Sequence, residues 1–296
     1  MSFFMQLTDS SSLMPSEGVL ALHDMHRTYT SFADFHPELP ELLQQGSLLH
    51  DCLEITNALG ILEPLTGKHI PPEELLINGP NWRESLVANG LLSRNRAVLA
   101  LLEQVYGSLE ALRQQDIYLV EALSSFALWM QCQLGQERLT CSEYLNEAGD
   151  TFADIPHQDI GELTFCNSTF DLVLCNEIFE HVQHINQAFA EIARVLRSGG
   201  RLVATCPLAF GQVESIVKAV ADPSTGQTQL LGEIELHGDP IRPKQGSLVY
   251  QIPGWEVVDQ LRKAGFSKAL IHHIASWKTG VMGSDLPGVL VIEAVR

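Results

Sequence analysis

Four polar residues follow the apolar run 170–175 in quick succession: Asn176, Glu177, Glu180 and His181. An amide, two carboxylates and an imidazole supply donors, acceptors and a group that titrates near neutrality, which is what proton transfer and the orientation of a bound reactant require. Asn176 is read as a residue that orients the reacting groups, and His181 either as a base or as a structural histidine. His237, in the run Leu236-His237-Gly238-Asp239-Pro240, is the second candidate base, with a solvated loop histidine as the alternative. Glu177, Tyr250 and Trp255 are the expected acceptor contacts, although Trp255 reads equally well as packing for the last helix. The adjacent His272 and His273 fall in a strand-like run, where neighbouring side chains point to opposite faces, so they cannot chelate one ion from one side. No other spacing of His, Cys, Asp or Glu forms a metal site, and no metal is expected.

These residues need a scaffold that brings them to one edge. Phe170 to Cys175 has the length and composition of a strand buried on both faces. Phe189, Ile192, Ala193 and Leu196 then make one apolar helical stripe, Gly199-Gly200 offers a residue free to take positive φ at its end, and 201–206 is the next strand. Strand, helix and strand form a right-handed βαβ unit, and ligands of open α/β sheets sit beyond the carboxyl ends of the strands. Upstream, Ser93 opens a helix to about Leu112 that Gly107 interrupts, 116–122 is the first strand, 124–134 a helix, 138–144 the second strand, and 157–160 ends a third short piece. Downstream, 210–220 is expected to be helical and 222–251 to be a long irregular insertion of the kind that forms lids. A helix over 255–264, closed by Gly265, precedes strands at 269–275 and 289–295. Residues 1–92 read as short helices and loops, broken at Ser10 to Ser12 and by Pro37, Pro40, Pro64 and Pro71-Pro72, with Leu49, Cys52, Leu53 and Thr56 as a helical stripe.

The stretch FDLVLCNEIFEHV, followed by AFAEIARVLRSGGRLVATCP, resembles the fourth to sixth motifs of class I S-adenosylmethionine-dependent methyltransferases, of the type 11-like group. The resemblance covers mainly 116–207 and 254–296. It implies an α/β, Rossmann-like fold with a seven-stranded, mostly parallel sheet and a helical N-terminal cap, divided into a cap region at 1–92 and a cofactor-binding domain at 93–296. It also implies S-adenosylmethionine as cofactor. On that pattern Glu121 opens the first loop, Glu143 lies 22 positions on as the ribose acid with Tyr144 beside it, and Asp159 follows 16 later with Ile160 on the adenine side. Ala122, Ser124 and Ser125 would approach the methionine moiety, and Asn176 the cofactor amine or the transferable methyl. The first loop departs from the family: Leu123, Ser125 and Ala127 stand where glycine is usual, and a side chain there restricts both backbone approach and positive φ.

Direct methyl transfer to a small molecule is the implied reaction. Another use of the cofactor (cyclisation or aminocarboxypropyl transfer) and a non-catalytic methyltransferase-like scaffold are the alternatives. The 18 basic and 36 acidic residues give a net charge of −18, which repels phosphate backbones and anionic membranes, so neither nucleic acid nor membrane is an expected partner, while a homodimer stays open. Six scattered cysteines without a C-x-x-C pair suit free thiols in a reducing cytoplasm. Met1 to Asp9 lacks the basic segment and apolar length of a secretory leader, and no apolar run is long enough to cross a bilayer.

Overall fold

The hydrophobic runs expected to form the sheet do so. The computed structural model describes residues 15–145, 154–222 and 227–296; the leader expectation at Met1 to Asp9 and the break at Ser10 to Ser12 lie outside them. The main sheet has seven strands, numbered here in chain order: β1 (Met25–Tyr29), β2 (Ile117–Leu119), β3 (Leu139–Cys141), β4 (Phe170–Asn176), β5 (Leu196–Thr205), β6 (Lys268–Ala275) and β7 (Val289–Val295). Their spatial order is β1-β6-β7-β5-β4-β2-β3. The sheet is mixed. β5 lies parallel to β4, β4 to β2 and β2 to β3, whereas β5 meets β7 antiparallel, with Leu202 opposite Ala294.

The seven strands are not the expected seven. The third short piece does not become a ladder strand; only a parallel bridge between Glu143 and His157 remains of it. The count is restored at the other edge by β1, from a stretch expected to hold helices and loops. His26, Arg27 and Thr28 carry no helical stripe, and only the two ends of Met-His-Arg-Thr-Tyr are buried.

By contacts the chain forms two units. The first comprises 1–28, 35–109 and 272–290, the second 29–34, 110–271 and 291–296. In the first, Val19, Leu22, Leu49, Cys52, Ile55 and Met282 pack with Trp277, whose indole N–H donates to the Val19 carbonyl at 2.8 Å. Besides the helices expected before residue 92, among them Leu39–Gly46 and Leu49–Leu59, this stretch contains a small sheet of 75–77, 86–88 and 91–92. Helix α1 (Ser93–Tyr106) ends at Gly107, where φ is 79° and glycine meets no Cβ penalty. Arg96 on α1 is fully buried, and its guanidinium donates to the carbonyls of Leu86, Leu91 and Gly280.

In the second unit, helix α2 (Ser125–Leu134) follows β2, and α3 (Ile185–Val195) connects β4 to β5 with Ile185, Ala188, Phe189 and Ile192 turned inward. Gly199 takes φ 79°, as the Gly-Gly pair predicts. The helix expected over 210–220 is absent. Val213, Ile216, Val217 and Val220 are all more than 40% exposed, so no buried stripe holds a helix together there. The β-branched residues instead pair as short strands, Ile216–Val217 with Gln251–Ile252 and Ala219–Ala221 with Thr228–Leu230. The insertion thus carries small ladders, including Leu236–His237 against Ser247–Leu248. The last helix, α4 (Val257–Lys263), precedes Gly265 as read from sequence. Among the described residues no helix is long and apolar enough to cross a membrane.

Candidate active site

Parallel strands that start together also end together, so β2, β3 and β4 deliver their following residues to one edge. Val120 and Glu121 leave β2, Ser142 and Glu143 leave β3, and Asn176 ends β4. The loop after β2 is held by the residue that follows β3: Glu143 Oε1 accepts the backbone N–H of Ala122 at 2.8 Å and of Leu123 at 3.0 Å. A carboxylate has room for further donors, so this contact does not use up its capacity. Across the edge, Asn176 Nδ2 donates to Glu121 Oε1 at 2.8 Å, and Asn176 Oδ1 accepts from Thr205 Oγ1. Asn176 is therefore buried between the ends of β2, β4 and β5. Ser124 is the N-cap of α2, its Oγ accepting from Ala127 N at 2.9 Å, while its own hydroxyl proton stays available to a ligand. Ser125, the first residue of α2, is exposed.

A cleft of about 580 Å³ runs along this edge. Glu143, Tyr144, Asp159, Ile160, Glu177, His181 and Tyr250 all line it. Asp159 is exposed and folds its own turn, accepting from Gly161 N at 2.8 Å. Trp255 is not brought to the cleft. It is 2% exposed, donates its indole N–H to the Phe210 carbonyl and packs edge-on to Tyr29, so of its two sequence readings the packing one describes it.

The turn after β4 is sharp. Glu177 takes φ 53°, in the left-handed region that costs a non-glycine residue energy, and a short 3-10 turn (Phe179–His181) follows. That turn is tied to the insertion. Tyr250 N donates to the Glu180 carbonyl at 2.8 Å, His181 Nδ1 bonds the Leu248 carbonyl at 2.8 Å, and Gln183 Nε2 donates to Tyr250 Oη. Next to the ladder residue His237, Asp239 gathers the N–H groups of Ile241 and Arg242 and the Ser247 hydroxyl, which fixes the loop.

The result is that His181 and His237, read from sequence as separate candidate bases, lie together: their rings meet edge to face with centroids 5.2 Å apart. Between them sits Glu180, which was seen in sequence only as part of a polar run. Its carboxylate is 0% exposed, with Oε1 3.5 Å from His237 Nδ1 and 3.8 Å from His181 Nε2. Burial pushes the Glu180 carboxyl above its ordinary range, and that carboxylate in turn holds the His237 imidazole above its own. Behind His237, Glu235 Oε1 stands 3.4 Å from Nε2. Neither Glu180 nor Glu235 was assigned a role from sequence. The Glu-His dipeptide after a buried strand was the only signal, because its partner stands 56 positions downstream (237 − 181).

Residues 121–204 match a family model described as a methyltransferase domain. No curated protein matches the chain. Among solved structures, the chain is similar to an S-adenosylmethionine-dependent methyltransferase from Mesorhizobium loti, with 15% identity over 69% of this chain and 98% of that one and a TM-score of 0.43. It is also similar to the 1,6-didemethyltoxoflavin N1-methyltransferase of Burkholderia thailandensis, solved with bound 1,6-didemethyltoxoflavin and S-adenosylhomocysteine, at 18% identity over 68% and 77% of the two chains and a TM-score of 0.40.

Proposed function

We propose that this chain, whose residues 121–204 belong to the methyltransferase-domain family, is an enzyme that transfers the methyl group of S-adenosylmethionine directly to a small-molecule acceptor. The observation that carries the reading is the composition of one cleft. The residues expected to hold the adenosine, Glu143, Tyr144, Asp159 and Ile160, share it with Glu177, His181 and Tyr250, expected on the acceptor side. Glu143 is poised to accept ribose hydroxyls, Asp159 and Ile160 to flank the adenine, and the loop 121–125 with the first turn of α2 to face the methionine end. Residues 93–296 carry the chemistry in this reading.

Transfer from a sulfonium needs the nucleophile, methyl carbon and sulfur in line; the C–S electron pair leaves on sulfur as the new bond forms. Alignment supplies much of the rate, and loss of a proton is required only when the nucleophile carries one. Asn176, buried at the end of β4 and anchored to Glu121, is placed to orient rather than to titrate.

The test is calorimetric titration of the whole chain with S-adenosylmethionine and with S-adenosylhomocysteine, followed by identification of the co-product. Micromolar binding of both, then S-adenosylhomocysteine as co-product with a small-molecule acceptor, supports the reading. Methylthioadenosine instead would mean attack on the aminocarboxypropyl side. A second reading, a methyltransferase-like scaffold without catalysis, is favoured by the glycine-free first loop and by the two loop N–H groups already spent on Glu143. It predicts that the folded protein binds neither molecule.

A further inference from the structure

We propose that Glu180, His181 and His237 form a binding site for one divalent transition-metal ion, with zinc(II) the best fit. Their ligand atoms lie within 4.8 Å of one another. Two independent features point to a cation there. The first is Glu180: both its oxygens are buried, and neither has a hydrogen-bond donor. A buried carboxylate in that state needs a proton or a metal.

The second is the direction of the imidazole lone pairs. His181 Nδ1 sits 2.8 Å from the Leu248 carbonyl, which only accepts, so Nδ1 carries the ring proton and Nε2 presents a lone pair to Glu180. His237 Nε2 stands 3.4 Å from the Glu235 carboxylate, whose other oxygen pairs with Lys218 Nζ at 3.0 Å. With its proton on Nε2, toward Glu235, the ring turns the Nδ1 lone pair to Glu180, 3.5 Å away, as a metal ligand must. Three ligand atoms thus face one another, and among the described residues no hydrogen-bond donor satisfies Glu180. A carbonyl or carboxylate behind each histidine is also the outer arrangement that orients metal-bound imidazoles.

The spacing agrees. Separations of 3.5 and 3.8 Å are too long for hydrogen bonds but near the edge of a coordination tetrahedron, about 3.3 Å for zinc bonds of about 2.0–2.1 Å. Two imidazoles and one carboxylate suit zinc and its neighbours in the first transition row better than magnesium or calcium, which take oxygen ligands. Three protein ligands leave a coordination position open, and His181 borders the cleft, so an oxygen of a bound acceptor has access to the ion. That last role rests on the methyl-transfer reading; metal binding does not.

The experiment uses the whole chain, stripped with a chelator and titrated with Zn²⁺ by calorimetry and with Co²⁺ by visible absorption, with cofactor binding measured separately. The expected result is one ion per chain, a Co²⁺ spectrum of nitrogen and oxygen ligation without thiolate charge-transfer bands, and an affinity at least 100-fold weaker in both Glu180→Gln and His237→Gln. Glu235→Gln should weaken it about 10-fold. Two variants guard against misfolding, since His237 lies in a surface ladder and its replacement leaves the Glu180 turn intact. Wild-type protein that takes up neither ion below millimolar concentration overturns the proposal. So does binding that survives both variants or shows thiolate bands, which would place the ion on cysteines such as the exposed Cys132 and Cys166. Metal uptake without cofactor binding would leave the site standing and remove the methyltransferase reading; the reverse would do the opposite.

Discussion

Two of the charged side chains buried among the described residues, Arg96 and Glu180, are treated in opposite ways. Arg96, in the first unit, is fully enclosed, yet its guanidinium reaches three backbone carbonyls, from Leu86, Leu91 and Gly280. Even so, burial lowers its pKa to about 9, which leaves it charged at neutral pH. Glu180, in the second unit, is just as enclosed, and no donor reaches either oxygen. A buried charge that is hydrogen-bonded organises its surroundings, whereas one left bare carries a desolvation cost that no hydrogen bond offsets.

That contrast is open to direct tests. Arg96→Ala should be the most damaging change, because it leaves three buried carbonyls without a donor; a loss of about 3–5 kcal/mol is expected, read from urea unfolding. If Arg96→Ala unfolds at nearly the wild-type midpoint, the guanidinium is not the anchor described. Glu143→Ala should cost about 1.5–3 kcal/mol in S-adenosylmethionine affinity by calorimetry, the worth of a charge-assisted hydrogen bond. Glu143→Gln, which still offers an oxygen to Ala122 and Leu123, should recover the loop but not the charge, and equal affinities for the two variants would remove Glu143 from the ribose. Ser124→Ala should lower stability by about 1 kcal/mol through loss of the α2 cap. Smallest of all, Glu180→Gln in metal-free protein should be neutral or stabilising by about 1 kcal/mol, since it removes a buried carboxylate that accepts no hydrogen bond. A clear drop in its Tm would mean that Glu180 is held by the fold as firmly as Arg96 is.

Much of the scaffold was legible because it is written in local pattern. The apolar run at 170–175 and the stripe Phe189, Ile192 and Ala193 each define their element within a few residues, and β4 and α3 follow; Leu196, read with the stripe, and the Gly199-Gly200 pair lie instead within β5. Gly107 and Gly265 marked helix ends for the same reason. The helix expected over 210–220 is absent because its apolar residues have no core to face, which is a property of the surroundings and not of the segment. Likewise, Met25 to Tyr29 is too short and too polar to announce a strand, and only the open edge of a sheet makes it one.

The same division runs through the site. The polar run 176–181 was visible because it follows a strand written in local pattern, whereas the acids at 121, 143 and 159 were named through the family resemblance, and 159 lies on a piece that forms no ladder strand. What the sequence by itself determined is that these groups meet at one edge of a sheet. Only the tertiary structure decided that His237 folds back beside Glu180 and His181, and that Asn176 is committed to Glu121 while Trp255 is committed to the core. Such pairings depend on the path of the chain between distant segments and on which buried groups are left without partners, and neither quantity is encoded in any window of neighbouring residues.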